Sequence, residues 1–412
     1  MVNIVTNPPK TLMKFLGRFQ HLFSRKQFIS FGIYVSSLLL DHSRFSIQEA
    51  WNKAPDTTYR KIHYFLSVSK WDPHELNNAR VALLKSGRTT KSTVHGVLAI
   101  DDTNCHKKWA FKTEGAMPQW STTAKGVVRG NVGVTSAFCS ASKHFPVNHI
   151  PYRTIDEFTQ KNIGSFKSKI DIATDLVDDA MFKGIAFSDI VFDTWYAAES
   201  FIGHIEKNGL TWITEFDADR NIYFRGKRVR ADELVKLVPP HKMRKVTALN
   251  SAGKEISFWC FTYTTKVKGL KGKKKIVVAK GSWDDRDEKV WHVFATNHLS
   301  LNTEQVIHRF SLRWKIECLY RELKDSFYFD HFQVRKIHRI DRHWHLCMLS
   351  HSFLYWVRCN GYLSKRVPEN IETLNEYKRA FNSLTSASFL AWIDQNRKKF
   401  QDFCRQNRRR VY

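Results

Sequence analysis

The run HGVLAIDDT at His95–Thr103 is apolar almost throughout until it reaches two carboxylates and a threonine. Such a run reads as a strand buried on both faces, the kind that lies inside a mixed or parallel sheet rather than along a half-solvated edge. It is expected to carry Asp101 and Asp102 at its carboxyl end, where ligands gather in open α/β sheets. Alternation does not choose between the two acids, because both faces of the strand look buried.

The same pattern returns downstream. Ile185–Phe192, IAFSDIVF, is a second apolar run and delivers Asp193 at its end, followed by TWYAAESFIGHIEKNG as a helix as far as Gly209. Between the two runs, Asn131–Ser142 and Phe145–Tyr152 read as strands, and an amphipathic helix is expected between Phe166 and Lys183. Leu210–Phe216 closes the series as another strand. Three strands, helix, strand, helix, strand describes a mixed sheet with helices on its faces, an α/β fold.

A third acid sits in FSLRWKIECLYRELK, Phe310–Lys324. Drawn as one helix, this stretch places Phe310, Arg313, Glu317, Arg321 and Lys324 on a continuous face at steps of three or four. By itself a carboxylate among cations is what any salt-bridged surface helix shows. Its reading changes because Asp102 and Asp193 are expected at strand ends: two strand-end acids and one on a packed helix are the donor set of a two-metal phosphoryl-transfer site. Mg²⁺ or Mn²⁺ needs hard oxygen ligands, and Arg313, Arg321 and Lys324 are then candidates to hold phosphates beside it.

Composition agrees with a polyanionic partner. The 412 residues hold 66 Lys and Arg against 39 Asp and Glu, a formal charge of +27, with 14% aromatic residues. That balance suits a protein that works on nucleic acid. No apolar run reaches the length of a bilayer span, and the basic N-terminus lacks an apolar core with a cleavage site, so the chain is expected in the cytoplasm with no membrane partner. The 7 cysteines are scattered without a CxxC pair, which points to reduced thiols. His338, His343, His345 and His351 lack partner thiols and read as core groups rather than metal ligands.

Five segments follow. Residues 1–91 are helical, a probe of DNA by composition, with Ser46–Trp51 and Thr57–Ser67 as a candidate helix-turn-helix broken at Pro55, capped by Asp56 and presenting Thr57, Thr58, Arg60, Lys61 and His63. Residues 92–216 form the first part of the catalytic core. Residues 217–288 are a β-rich insertion with the cationic loop KVKGLKGKKK at Lys266–Lys275. Residues 289–335 complete the core with the glutamate helix, and 336–412 are helical.

At this point the chain resembles DDE transposases of the insertion-sequence four superfamily. Phe310, Arg313, Glu317 and Lys324 reproduce the spacing of the YREK signature, with RWKIE around it, and LAIDDT and VFDTWYA look like the first and second acidic motifs in the right order. The resemblance covers residues 94–335. It implies an RNase H-like core, the triad Asp102, Asp193 and Glu317 holding two Mg²⁺ or Mn²⁺ ions, and phosphate contacts from Arg313, Arg321 and Lys324. Asp102 is preferred to Asp101 because the family's aspartate directly precedes the threonine, here Thr103. The signature tyrosine is Phe310, so its hydroxyl is missing.

The resemblance further implies a prokaryotic, cut-and-paste enzyme that nicks the ends of its insertion sequence in double-stranded DNA, passes through a hairpin and joins the ends to target DNA, as a homodimer on DNA. A hairpin needs a flipped base, and an aromatic platform lowers its cost. Trp195, Trp212, Trp259, Trp283, Trp291 and Trp314 are candidates, with Trp259 and Trp283 favoured because they lie in the insertion. The alternatives are a nuclease or resolvase on the same core without strand transfer, and a non-catalytic, domesticated DNA-binding protein.

Overall fold

The structure is a computed structural model that describes residues 9–54, 57–121, 124–157, 164–250, 252–281, 291–362, 373–395, 397 and 401. It divides into two compact units, each discontinuous in sequence. A helical unit comprises Met1–Lys91, Cys105–Ala116 and Tyr320–Tyr412, and a sheet unit comprises Ser92–Asn104 and Met117–Leu319.

The sheet unit is built on β1 (Val97–His106), β2 (Ala116–Ser121), β3 (Gly126–Cys139), β4 (His144–Tyr152), β5 (Ile190–Phe192) and β6 (Trp212–Glu215). β1, β5 and β6 run parallel, with Leu98 opposite Ile190, Ile100 opposite Phe192, and Phe192 opposite Thr214. β3 neighbours β1 on the other side and pairs antiparallel with β4, giving the order β4-β3-β1-β5-β6. This is the arrangement of an RNase H-like core. At its centre the stretch Val97–Ile100 of β1 and the whole of β5, Ile190–Phe192, are apolar and buried, as strands covered on both faces must be. Gly96 allows the close approach at the entry to β1, since a Cβ there would overlap the Phe138 ring of β3.

Helix α6 (Lys169–Phe182) covers β3 and β4, and α7 (Glu199–Lys207) packs on α6. Ser168 opens α6 with a reciprocal cap: its Oγ accepts from Asp171 N at 3.1 Å while Asp171 Oδ2 accepts from Ser168 N at 2.8 Å. The insertion does not form a sheet of its own apart from the hairpin of β7 (Asn221–Phe224) and β8 (Lys227–Arg230), beside the short helix α8 (Ala231–Leu237). β9 (Arg244–Leu249), β10 (Glu255–Lys266), β11 (Lys273–Lys280) and β12 (Trp291–Thr296) prolong the core sheet in the order β6-β12-β11-β10-β9, all antiparallel. Helix α9 (Thr303–Ser311), capped by Asn302, lies against β6, β12 and β9, and α10 (Trp314–Phe327) follows it.

The helical unit contains α1 (Lys10–Leu16), α2 (Arg25–Leu39), α3 (Ile47–Asn52), α4 (Tyr59–Ser67), α5 (Pro73–Ser86), the Tyr320–Phe327 half of α10, α11 (Ile337–Cys359) and α12 (Leu374–Gln395). α11 is its axis, buried along most of its length, with α2, α4, α5 and α12 packed on it. His343 on α11 bonds Tyr34 Oη at 2.8 Å and Tyr328 O at 2.9 Å, and burial pushes its pKa down to about 3, so it is a neutral core residue. His345 and His351 are buried as well, while His338 is exposed. Ser46 caps α3 and Thr58 caps α4; Pro55 and Asp56, the expected breaker and cap, lie outside the described residues. On α4, Thr58, Arg60 and Lys61 are exposed, His63 is half-buried and Thr57 is buried. Among the described residues no helix is long and apolar enough to cross a membrane.

Three expectations need correction. β1 does not end at its acids: it continues to His106, so Asp101 and Asp102 sit in mid-strand, just past the stretch paired with β5. Phe310–Lys324 is not one helix, because Leu312 and Arg313 form a turn between α9 and α10. The helix expected directly after Asp193 begins only at Glu199, after a single tight 3₁₀ turn at Thr194–Tyr196.

A buried charge cluster fixes α9 to the sheet. Asp189, fully buried before β5, accepts from Thr211 Oγ1 at 2.8 Å, bonds His298 Nδ1 at 2.7 Å and pairs with Arg309 of α9. These hydrogen bonds hold its carboxyl below the usual carboxylate range in spite of burial. Asp189→Ala leaves Arg309 without this partner at a buried site and is expected to lower stability by about 3–5 kcal/mol, measured as the shift in urea-induced unfolding; a shift within experimental scatter would remove the cluster from the fold's supports.

Candidate active site

The parallel register carries two acids to one level of the sheet. Ile100 lies opposite Phe192, so Asp101 and Asp193 each follow a paired residue, and the charge of Asp193 acts on Asp101. Asp193 directly follows β5 and caps the 3₁₀ turn, its Oδ1 accepting from Tyr196 N at 3.3 Å. Glu317 is in the first turn of α10. Arg313, in the turn before that helix, joins the pieces: Nη1 donates to Asp101 Oδ2 at 3.2 Å and Nη2 to Glu317 Oε1 at 3.1 Å. All four side chains belong to the sheet unit.

Asp102 is turned to other partners. Its Oδ2 accepts from Lys169 Nζ at 2.9 Å and its Oδ1 from Tyr196 Oη at 3.0 Å. Lys169 is the first residue of α6, where a cation opposes the helix dipole, and the Asp102 carboxylate compensates it. Asp101 is thus the acid linked through Arg313 to Glu317, while Asp102, the one preferred from the position of Thr103, pairs with Lys169 and Tyr196. Lys169 and Tyr196 were not picked out in the sequence. Tyr196 had a signal, three residues past Asp193 where a tight turn folds back; Lys169 had none, being 67 residues from Asp102.

Acids crowd at this site, where Arg313 bridges Asp101 and Glu317 and Lys169 pairs with Asp102. Burial, then the charge of Asp193, push the Asp101 pKa up to about 8 against the pull of Arg313. Burial also raises Asp193, with Asp102 adding to it and Arg313 opposing. A cluster of hard oxygen donors in which burial and a neighbouring carboxylate hold a proton on Asp101 fits a divalent cation of the Mg²⁺ class.

The remaining predicted residues are dispersed. Arg321 and Lys324 follow Glu317 on α10 by four and seven residues and belong to the helical unit; Arg321 is exposed and Lys324 half-buried. Phe310 packs on Phe294, ring centres 5.0 Å apart, with the Arg313 guanidinium 5.8 Å from its ring centre. An open depression of about 360 Å³ beside Arg313 is lined by Phe310, Ser311, Arg313 and Trp314 and by Asn250 and Ala252 from the β9–β10 turn. Trp314 is 49% exposed and Trp195, directly after the 3₁₀ cap, 54%, whereas Trp212 is buried in the core. Trp259 and Trp291 are half-buried on β10 and β12, Trp259 in register with Lys280 and Lys245. Trp283 lies outside the described residues.

The folded chain keeps the Asp101 proton that an ordinary carboxyl in the unfolded chain releases near pH 4. The contribution of this group to stability is thus full below about pH 4 and is lost as pH rises to about 8. Without added metal, Asp101→Asn is expected to flatten the decline of the urea midpoint across that window; parent and variant falling in parallel would remove the proton from Asp101.

Residues 18–249 match the family model described as DDE superfamily endonuclease, and residues 167–353 match that described as transposase DDE domain. No curated protein matches. Among solved structures the chain is similar to piggyBac transposase, in a cryo-EM structure of its synaptic complex with hairpin DNA, at 10% identity and a TM-score of 0.49, over 93% of this chain and 76% of that one. With the first model spanning more than half of its length, the chain belongs to the DDE superfamily endonucleases.

Proposed function

We propose that this chain is the transposase of a bacterial insertion sequence, cutting the element's ends and joining them to target DNA by two-metal phosphoryl transfer. The observation that carries the reading is the meeting of Asp101, Asp193 and Glu317 around Arg313, three acids from two strands and a helix that are more than 200 residues apart at their extremes. In this reading Asp101, Asp193 and Glu317 hold two Mg²⁺ or Mn²⁺ ions. When bound, the ions activate the attacking oxygen and stabilise the leaving one.

The chain's own residues do the rest. Arg313 releases the carboxylates it bridges and turns to the scissile phosphate, for which its forked donors are suited. Asp102 acts through its partners: it holds Lys169 and the Tyr196 hydroxyl beside the acids, where Lys169 can meet a second phosphate. Arg321 and Lys324 bind the phosphates of the cleaved end. The depression at Phe310, Arg313 and Trp314 supports a hairpin intermediate, since an exposed indole beside the site offers a platform to a flipped base; this favours Trp314 over Trp259 and Trp283. The helical segment 1–91 binds element ends through the exposed Thr58, Arg60 and Lys61 of α4, the enzyme acts in the cytoplasm, and two copies pair the two ends as a homodimer on DNA.

Asp193→Asn and Glu317→Gln are each expected to abolish cleavage of the element's ends while DNA binding persists; normal cleavage by either would remove the site. Asp101→Asn should likewise abolish cleavage, and Asp102→Asn should slow it without abolishing it, and the opposite ranking would return the metal role to Asp102. Incubating the protein with end DNA, a target plasmid and Mg²⁺ separates a transposase from a nuclease, because joined products form only by strand transfer.

A further inference from the structure

Between β1 and β2 the helical unit presents a short loop, KKWAFKT at 107–113, that is fastened at both ends. At one end Lys107 Nζ donates to Phe332 O at 2.9 Å and stands 4.3 Å from the centre of the Phe332 ring. At the other, Glu114 N donates to Arg335 O at 2.9 Å, and the Glu114 carboxylate accepts from Ile337 N at 3.0 Å and from Lys336 Nζ at 2.9 Å. Ile337 opens α11, whose preceding residue supplies no side-chain cap, so Glu114 caps that helix from a distant part of the chain. Inside the loop, Ala110 N donates to Lys107 O at 2.9 Å and Phe111 N to Trp109 O at 3.1 Å, closing tight turns.

A loop held this firmly would ordinarily bury its large apolar side chains. Here Trp109 is 77% exposed and Phe111 68%. Around them stand cations: Lys108, its Nζ 5.1 Å from the centre of the Trp109 ring, with Lys112 and Arg335 exposed. The nearby acid, Glu114, is already engaged by Lys336 and the α11 terminus. An aromatic tip within a cationic rim matches a partner that offers flat π faces between phosphates. On a chain of net charge +27 that complementarity selects nucleic acid over an acidic or apolar protein surface.

We propose that this loop is a wedge for DNA, Trp109 stacking on a base at an opened or kinked step while Lys108 and Lys112 hold the flanking phosphates. The inference rests on the DNA-cutting reading above and adds to it a contact outside the carboxylate site. Unstacking a base step costs free energy, so a wedge gains most where the step is already open.

The test is fluorescence anisotropy of the full chain with a labelled mixed-sequence duplex and with the same duplex carrying a short mismatched bubble, over a range of salt. The parent should bind the bubbled duplex more tightly than the paired one. Trp109→Ala should weaken binding to the bubble by about tenfold with the salt dependence unchanged, and Trp109→Phe should restore most of it. Lys108→Ala should weaken both duplexes alike and lower the slope of log affinity against log salt by about 0.9. If Trp109→Ala binds the bubble as the parent does, the wedge is overturned while the DNA-cutting reading stands. If the parent binds neither duplex, both fall. If Trp109→Ala changes the sedimenting mass of the free protein and leaves DNA affinity untouched, the loop is a protein contact and the wedge is overturned.

Discussion

Carboxylates gathered in a water-poor site repel one another, and much of the sheet unit is arranged to hold them together nonetheless. Asp101 and Asp193 come from neighbouring strands whose register is set by buried apolar pairs, so neither can move away without unpairing the centre of the sheet. Glu317 is brought in by α10, which follows a turn at the end of α9, and α9 is tied down through Asp189 and Arg309. Arg313 then lies between acids that the fold has already brought together. The raised proton affinity of Asp101 measures what remains unpaid, and it is the kind of deficit that a divalent cation offsets.

Most core strands were legible in the sequence, because buried central strands leave continuous apolar runs, though β2 was not. Val97–Ile100 is such a run, whereas of the strand expected over Ile185–Phe192 only Ile190–Phe192 forms one. Less legible was where β1 stops, since beyond Ile100 it carries polar and charged residues, Thr103 buried and Asn104 half-buried. The sharp turn at Leu312–Arg313 was hidden for a related reason. Its residues have good helix propensity, and the break comes from the two directions in which α9 and α10 must leave it.

The choice between Asp101 and Asp102 shows the limit most plainly. Adjacent residues on a strand face opposite ways, so the question is decided by which neighbour each one meets, and those neighbours, Arg313 for one and Lys169 with Tyr196 for the other, lie far along the chain. A motif that fixes a threonine after the acid does not say which neighbours each carboxylate meets.

One further consequence follows from the two arginines that flank Phe310. Arg309 meets Asp189 on the residue before β5, and Arg313 meets Asp101, level with Asp193 on the residue after it. The last turn of α9 and the turn that follows it are thus matched against the length of a three-residue strand, and the pair works as a gauge. If α9 slid by one turn and carried Arg313 with it, both guanidiniums would lose their acids together. Substitutions that alter the spacing between residues 309 and 313 should therefore act less like losses of a single contact than like losses of alignment, visible at the acids and in the core at once.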